Sequence, residues 1–326
     1  MLSVIVPIYN DFQGDWIKNI LDRLCHVKGI EVICVDSSDT AHRRDGALEE
    51  YTRYIKEINF KIVHFETLSR GARLQAGIDA SAGTTILLHH PRSLVSLEGL
   101  EWLRDHAEAD DLCPSWPWGG FTHKFDLDHV LLRITSWYSN KVRPRFGGIV
   151  YLDHCIFFHR SALGSSRIPP VEIFEDTELS LLLLANTSTK PRIAPYTSTT
   201  SAVRFSTNGI IRQIVLNQWL KVCYWLGGLG GDGVVMNAAY ERGLNLNGAA
   251  ALASEGRSIQ SNTDTGVGAG VGAGAGSGGK GWSKGSILCL SACGLASAGL
   301  LFYRHRRSLP ALNNISSLWG EIKWFK

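Results

Sequence analysis

The sequence predicts an α/β fold with a mostly parallel central sheet and helices on both faces. Two β-branched runs, residues 3–7 and 31–35, are separated by a helical pattern through Trp16, Ile17, Ile20, Leu21 and Leu24. A strand-like run at 61–65 and a small-residue helix at Arg70–Ala80 repeat the alternation. A third apolar run, Thr84-Thr85-Ile86-Leu87-Leu88, then stops abruptly in His89-His90-Pro91-Arg92. Strands that alternate with helices in this way build parallel sheets with helices packed on their faces.

Each element has its own signal. The first strand follows Met1-Leu2 directly, with no basic region ahead of it, so no signal peptide is expected. The second ends at Asp36-Ser37-Ser38, residues that favour turns. Residues 47–58 read as a charged helix. The run at 84–88 is too short for most helices and reads as a buried strand. Open α/β sheets place ligands at the carboxyl ends of their strands, so His89, His90 and Arg92 stand where chemistry is expected. No carboxylate appears there.

After residue 110 the pattern changes. Trp116-Pro117-Trp118-Gly119-Gly120-Phe121 is rich in turn formers and aromatics, and residues 149–159 form another strand-like run. Glu175-Asp176-Thr177-Glu178 opens a helix at 179–184, its acids suited to the positive end of the helix dipole. A second helix is expected over 209–226.

The chain of 326 residues carries a net charge of +3, too even a balance to suggest nucleic acid as a partner. Its seven cysteines are scattered without a CxxC pair, which fits free thiols better than a zinc ribbon or a disulfide framework. Four regions are expected: a globular domain at 1–230, a Gly/Ala-rich flexible linker at 231–285, a membrane helix at 286–303, and a basic, aromatic tail at 304–326. The uncharged run at 287–303 has roughly the minimum length for spanning a bilayer. A tail helix packed on protein is the alternative. The expected arrangement is a single-pass, membrane-associated protein with a cytosolic main domain. Arg304, Arg306 and Arg307 favour the cytoplasmic side, whereas Asn314-Ile315-Ser316 would be a glycosylation acceptor only in a luminal tail. The topology is left open by these opposing cues.

The ordered motifs carry a resemblance. Ser3-Val4-Ile5-Val6-Pro7-Ile8-Tyr9-Asn10 and Glu31-Val32-Ile33-Cys34-Val35-Asp36 resemble the opening of family 2 glycosyltransferases with the GT-A fold. Ser69-Arg70-Gly71-Ala72-Arg73-Leu74-Gln75-Ala76-Gly77 is similar to the helix that precedes the metal-binding strand of that family. Trp118-Gly119-Gly120-Phe121, Leu152-Asp153-His154-Cys155, Phe174-Glu175-Asp176-Thr177-Glu178 and Ala202-Val203-Arg204-Phe205 continue the series. The resemblance covers residues 1–227 and is to a mostly bacterial, poorly characterised subgroup.

It implies an inverting transfer of a sugar from a nucleotide-sugar donor to an acceptor that is a glycan, a lipid or a protein. Asp176 would be the base, with Glu175 beside it. Pro7, Tyr9 and Asp36 would line the nucleotide pocket, and Asp153 would lie near the sugar or the acceptor. A divalent magnesium or manganese ion is usual for the family, but Pro91 stands where its aspartate ligand belongs. Two readings stay open. Cations such as Arg73, Arg92 and Arg204, with His89 at the strand end, neutralise the diphosphate instead of a metal. Alternatively the domain has lost catalysis and serves as a membrane-anchored binding or scaffold protein.

Overall fold

A computed structural model describes residues 1–9, 15–38, 59–109, 116–171 and 173–225. The described residues fall into two units, 1–213 and 214–225. The first unit is built on one eight-stranded sheet. Its strands are β1 (Leu2–Ile8), β2 (Ile30–Asp36), β3 (Asn59–His64), β4 (Thr85–Leu88), β5 (Ser93–Val95), β6 (Trp118–Phe125), β7 (Ile156–His159) and β8 (Arg192–Thr200), in the order β3-β2-β1-β4-β7-β6-β8-β5.

The sheet is mixed rather than mostly parallel. β3, β2, β1 and β4 run parallel, as the alternating pattern requires. β7 then pairs antiparallel with both β4 and β6, β6 pairs parallel with β8, and β5 pairs antiparallel with β8. The result is a GT-A-like α/β fold. Helices still separate the strands of the second half, which departs from the expectation because β7 enters antiparallel between β4 and β6 and β5 pairs antiparallel with β8.

Both faces are covered. Successive side chains of a strand point to opposite faces. Leu2, Val4, Val6 and Ile8 of β1 therefore join Ile17, Ile20, Leu21 and Leu24 of helix α1 (Trp16–Leu24) and Leu100 and Leu103 of the helix at Leu97–Ala109. Ile5, Ile33 and Val35 point the other way. They meet Leu74 and Ile78 of α2 (Arg70–Ala80), and Leu179 and Leu183 of the helix at Glu175–Thr187 belong to the same core. Contact between α2 and β1 is close: a Cβ on Gly77 would fall 2.3 Å from Ile5 Cγ2.

Several boundaries differ from expectation. Residues 149–159 are not one strand. A single 3₁₀ turn at Leu152–His154 interrupts them, Cys155 takes a left-handed φ of 52°, and only Ile156–His159 pairs in the sheet. The turn-rich stretch at 116–121 leads straight into β6, whose Gly119 passes so close to β8 that a Cβ there would lie 2.0 Å from the Arg192 carbonyl oxygen. The helix at Glu175–Thr187 includes both acids and runs beyond 184. The last described helix, Ile210–Trp225, continues into the second unit. Cys25, Cys34 and Cys155 carry free thiols. The helix expected at 47–58, the linker, the membrane helix at 286–303 and the tail lie outside the described residues. Among the described residues no helix is long and apolar enough to cross a membrane.

Candidate active site

The carboxyl ends of β1, β2 and β4 supply the first residues. The Ile8 carbonyl at the end of β1 accepts from Ser37 N at 3.0 Å and from Arg73 Nη1 at 3.2 Å. The Arg73 guanidinium lies 5.4 Å from the centroid of the Tyr9 ring, within cation–π range. Asp36, at the end of β2, accepts from Ser38 N at 2.8 Å, which closes a turn on its own side chain, and its other oxygen lies 3.6 Å from His64 Nδ1. Pro7 is buried in β1 opposite Val35. Pro7, Tyr9, Asp36 and Arg73 thus gather at neighbouring strand ends.

Beyond β4 the two histidines part, as successive residues of an extended segment must. His89 is buried, its Nδ1 lies 3.1 Å from the His90 carbonyl, and burial pushes its pKa down to about 4; the cation that acts on it is Arg23. His90 is governed by other charges. Burial holds its pKa well below the usual histidine value, helped by Arg70, Arg92 and Arg204 and opposed by Asp153. Its Nδ1 accepts from Arg92 N at 3.1 Å, and its carbonyl accepts from Ser93 N at 3.1 Å. Pro91 therefore occupies the second position of a β-turn, where its fixed φ is favourable.

The turn at Leu152–His154 delivers Asp153 to the same place. Its backbone carbonyl accepts from Ser198 Oγ at 2.8 Å, Thr200 Oγ1 at 3.2 Å and Ser93 Oγ at 3.3 Å, which fastens it to β8 and β5. Its side chain is about a quarter exposed, with Oδ2 3.6 Å from His123 Nε2 and Oδ1 3.9 Å from His154 Nε2. Burial alone would raise the Asp153 pKa, but His123, His154 and Arg143 outweigh it and hold the carboxyl well below the usual range. His154 is fully buried. Its Nδ1 donates to the Phe121 carbonyl at 2.9 Å, so its Nε2 accepts from Arg143 Nη2 at 3.2 Å. Burial keeps this imidazole neutral, with a pKa pushed down to about 3. Arg143 comes from a π-helical stretch, Tyr138–Gly147, and stacks 3.4 Å from the centroid of the Tyr151 ring.

Glu175 and Asp176 complete the cluster. Phe174 just before them has a left-handed φ of 63°, and side chains other than glycine tolerate that conformation only at a cost. The loop ahead of it is pinned to the start of α2: Ser69 Oγ donates to the Val171 carbonyl at 3.0 Å, and a Cβ on Gly71 would fall 2.3 Å from the Pro169 oxygen. The adjacent carboxylates serve different partners. Glu175 is wholly buried and accepts from Arg70 Nε. Asp176 accepts from Leu152 N at 3.0 Å and from Thr177 N at 2.7 Å. Burial and the neighbouring Glu175 charge push the Asp176 pKa up to about 7. A carboxylate tuned to neutral pH is equipped to exchange a proton with a hydroxyl group.

The residues after β4 do not fit a divalent ion. Pro91 offers no side-chain donor, His90 Nδ1 already accepts a backbone N–H, and Asp153 is the carboxylate that acts on His90. Among the described residues no three His, Cys, Asp or Glu side chains are placed to hold a metal. Magnesium and manganese prefer a set of oxygen ligands.

Of the residues expected from the sequence, Arg92, Arg204 and Asp153 act electrostatically on His90, and Arg70 acts on both His90 and Asp176 while pairing with Glu175. His89 faces a different cation. Arg160 donates to the carbonyls of Ile78, Ser81 and Gly83 at the end of α2. Arg70, His123, Arg143 and His154 were not among the expected site residues, whereas His90 stands at the strand end where chemistry was expected. Arg70 stands inside the Ser69-Arg70-Gly71 motif and His90 beside His89, so both had a signal. His123 and Arg143 had none.

The model of glycosyl transferase family 2 matches residues 3–164. No curated protein matches the chain. Among solved structures, the mannosyltransferase PcManGT from Pyrobaculum calidifontis, in complex with GDP-Man and Mn2+, is 16% identical with a TM-score of 0.50, covering 94% of this chain and 86% of that one. S. aureus TarS 1-349, in complex with UDP-GlcNAc, is 19% identical with a TM-score of 0.46, covering 61% of this chain; the chain spans 58% of that length. The family match takes in β1 to β4, the Pro91 turn and Asp153, and with the mixed GT-A-like sheet it identifies this chain as a family 2 glycosyltransferase-like protein.

Proposed function

We propose that the protein transfers a sugar from a nucleotide-sugar donor to an acceptor hydroxyl with inversion, and without a divalent metal. The observation that carries this reading is Asp176: buried, raised to about 7, and bonded to the backbone of the turn that presents Asp153. Inversion in one displacement needs a base on the acceptor side, and Asp176 takes the acceptor proton. Glu175, tied to Arg70, is a positioning residue that raises the Asp176 pKa. Pro7, Tyr9 and Asp36 line the nucleotide pocket beside Arg73. Arg92 and Arg204 meet the diphosphate and stabilise the leaving group, since guanidinium groups match phosphate oxygens bidentately. Asp153 accepts a hydroxyl of the sugar. A membrane helix at 286–303 would bring this domain to a membrane, and the acceptor is a glycan, a lipid or a protein.

The test is a binding screen of UDP, GDP, UDP-GlcNAc and GDP-Man by calorimetry, in EDTA and in manganese. Binding in EDTA that manganese leaves within about threefold supports the reading, because a metal-bridged diphosphate would lose far more than that. Absence of binding at millimolar nucleotide contradicts it. Pro91 favours a second reading, a non-catalytic domain that binds a ligand or partner at a membrane. Nucleotide binding without any release of nucleoside diphosphate from the sugar nucleotide decides for that alternative.

A further inference from the structure

His123 is built into the site more tightly than an ordinary core histidine, yet its function is unfinished. It lies on β6, and Asn140 clamps its backbone from both sides, accepting from His123 N and donating to its carbonyl, each at 2.8 Å. Its ring stands edge-on to Phe125 at 4.6 Å and beside His154 at 5.4 Å, and its Nδ1 is 3.2 Å from Ser136 Oγ. With one nitrogen and both ring faces fixed, Nε2 points at Asp153 Oδ2 from 3.6 Å, beyond hydrogen-bond range. His123 is 2% exposed, and its Nε2 and Asp153 Oδ1 are both buried with no hydrogen-bond partner among the described residues. A buried ring nitrogen left this way is costly, and its gap to Asp153 Oδ2 is closed by a displacement of well under 1 Å.

His154 does not close it. Its Nδ1 proton goes to Phe121, so the Nε2 that faces Asp153 bears a lone pair already engaged by Arg143. The titratable groups that act on the Asp153 carboxyl are Arg143, His90, the two imidazoles and Asp176, and of the two imidazoles it is His123 that turns a nitrogen without a hydrogen-bond partner among the described residues toward Oδ2.

We infer that His123 is a positioning residue for the donor sugar: its Nε2–H closes onto Asp153 Oδ2 when a sugar hydroxyl binds that carboxylate. The pair then holds Asp153 in one orientation, so that its remaining lone pairs accept from a hydroxyl. The inference rests on Asp153 serving the sugar, as proposed above. Its signature is selective, because His123 affects the sugar part of the donor and not the nucleotide.

The test measures Kd by calorimetry for UDP and UDP-GlcNAc, and for GDP and GDP-Man, on the full chain. The variants are His123→Phe, which keeps the ring volume against Phe125 and His154, His123→Gln, which restores an N–H donor, and Asp153→Asn. His123→Phe is expected to weaken whichever sugar nucleotide binds by about tenfold, the scale of one hydrogen bond to a charged group, while Kd for the bare diphosphate stays within about twofold. His123→Gln recovers most of the loss. Combined with Asp153→Asn, His123→Phe adds little, since the two act as one unit. Equal weakening of diphosphate and sugar nucleotide overturns the inference, as does full additivity of the two substitutions. If no sugar nucleotide binds the unaltered protein, the donor reading falls and this inference falls with it. If sugar nucleotides bind and His123→Phe changes nothing, only the role of His123 is refuted.

Discussion

At the scale of single residues the account turns on how burial sets charge. Asp176 has its folded pKa raised above the ordinary carboxylate value of 3.8, to about 7. The folded chain therefore holds a proton that the unfolded chain releases. The stability linked to this group is fully present below pH 3.8 and is lost as pH rises through 7. Asp176→Asn is expected to flatten that part of the stability curve, so urea titrations at pH 5 and pH 8 should differ less for the variant than for the unaltered protein. The slope is the informative quantity, because Asn can accept only one of the two backbone N–H groups that Asp176 now satisfies. A second prediction concerns Arg70. Removing it strands the fully buried Glu175 carboxylate, so Arg70→Ala is expected to lower stability by roughly 3 kcal/mol at neutral pH, measured by urea unfolding. Arg70→Lys should recover part of that.

Among the elements, α2 shows how much was legible and why. Its small residues read directly from the sequence, it spans Arg70–Ala80 as expected, and the structure adds Ser69 as its N-cap. The small residues have a purpose that periodicity cannot display. Gly77 lets the helix lie against Ile5, and Gly71 lets it meet the loop that precedes Glu175. Gly77→Ala and Gly71→Ala are each expected to cost about 1–3 kcal/mol by overpacking, read as a lower thermal midpoint. Gly71→Ala should also impair nucleotide-sugar turnover, because it displaces the segment that presents both acids. The run at 149–159 reads as strand-like, ended or interrupted at Asp153-His154, and the form of that interruption is hidden for an equally physical reason. Short apolar runs carry no period that separates a strand from a tight turn. What bends the chain at Asp153 is distant in sequence: Asp176 accepting from Leu152 N, and Ser93, Ser198 and Thr200 donating to the Asp153 carbonyl. His89 and His90 show the same limit. Strand alternation required them to point apart, but only the folded sheet shows that the charges of Arg92 and Arg204 act on His90 and that of Arg23 on His89.

In the whole molecule, the first half of the sheet is parallel and follows the alternating pattern of the sequence, while the second half is antiparallel or mixed and brings β6, β7 and β8 beneath the site. That second half carries what the sequence concealed, namely His123, Arg143 and the turn at Asp153. In the site proposed for sugar transfer, arginines and a proline turn stand where carboxylates and a metal would be expected. The most direct measurement is the release of nucleoside diphosphate from UDP-GlcNAc and GDP-Man by the full chain in excess EDTA, followed from pH 5 to 9. The account predicts release that rises through pH 7 as Asp176 ionises, is unchanged by manganese, and falls at least about a hundredfold in Asp176→Asn. Release that needs added metal, or that Asp176→Asn leaves intact, would contradict it.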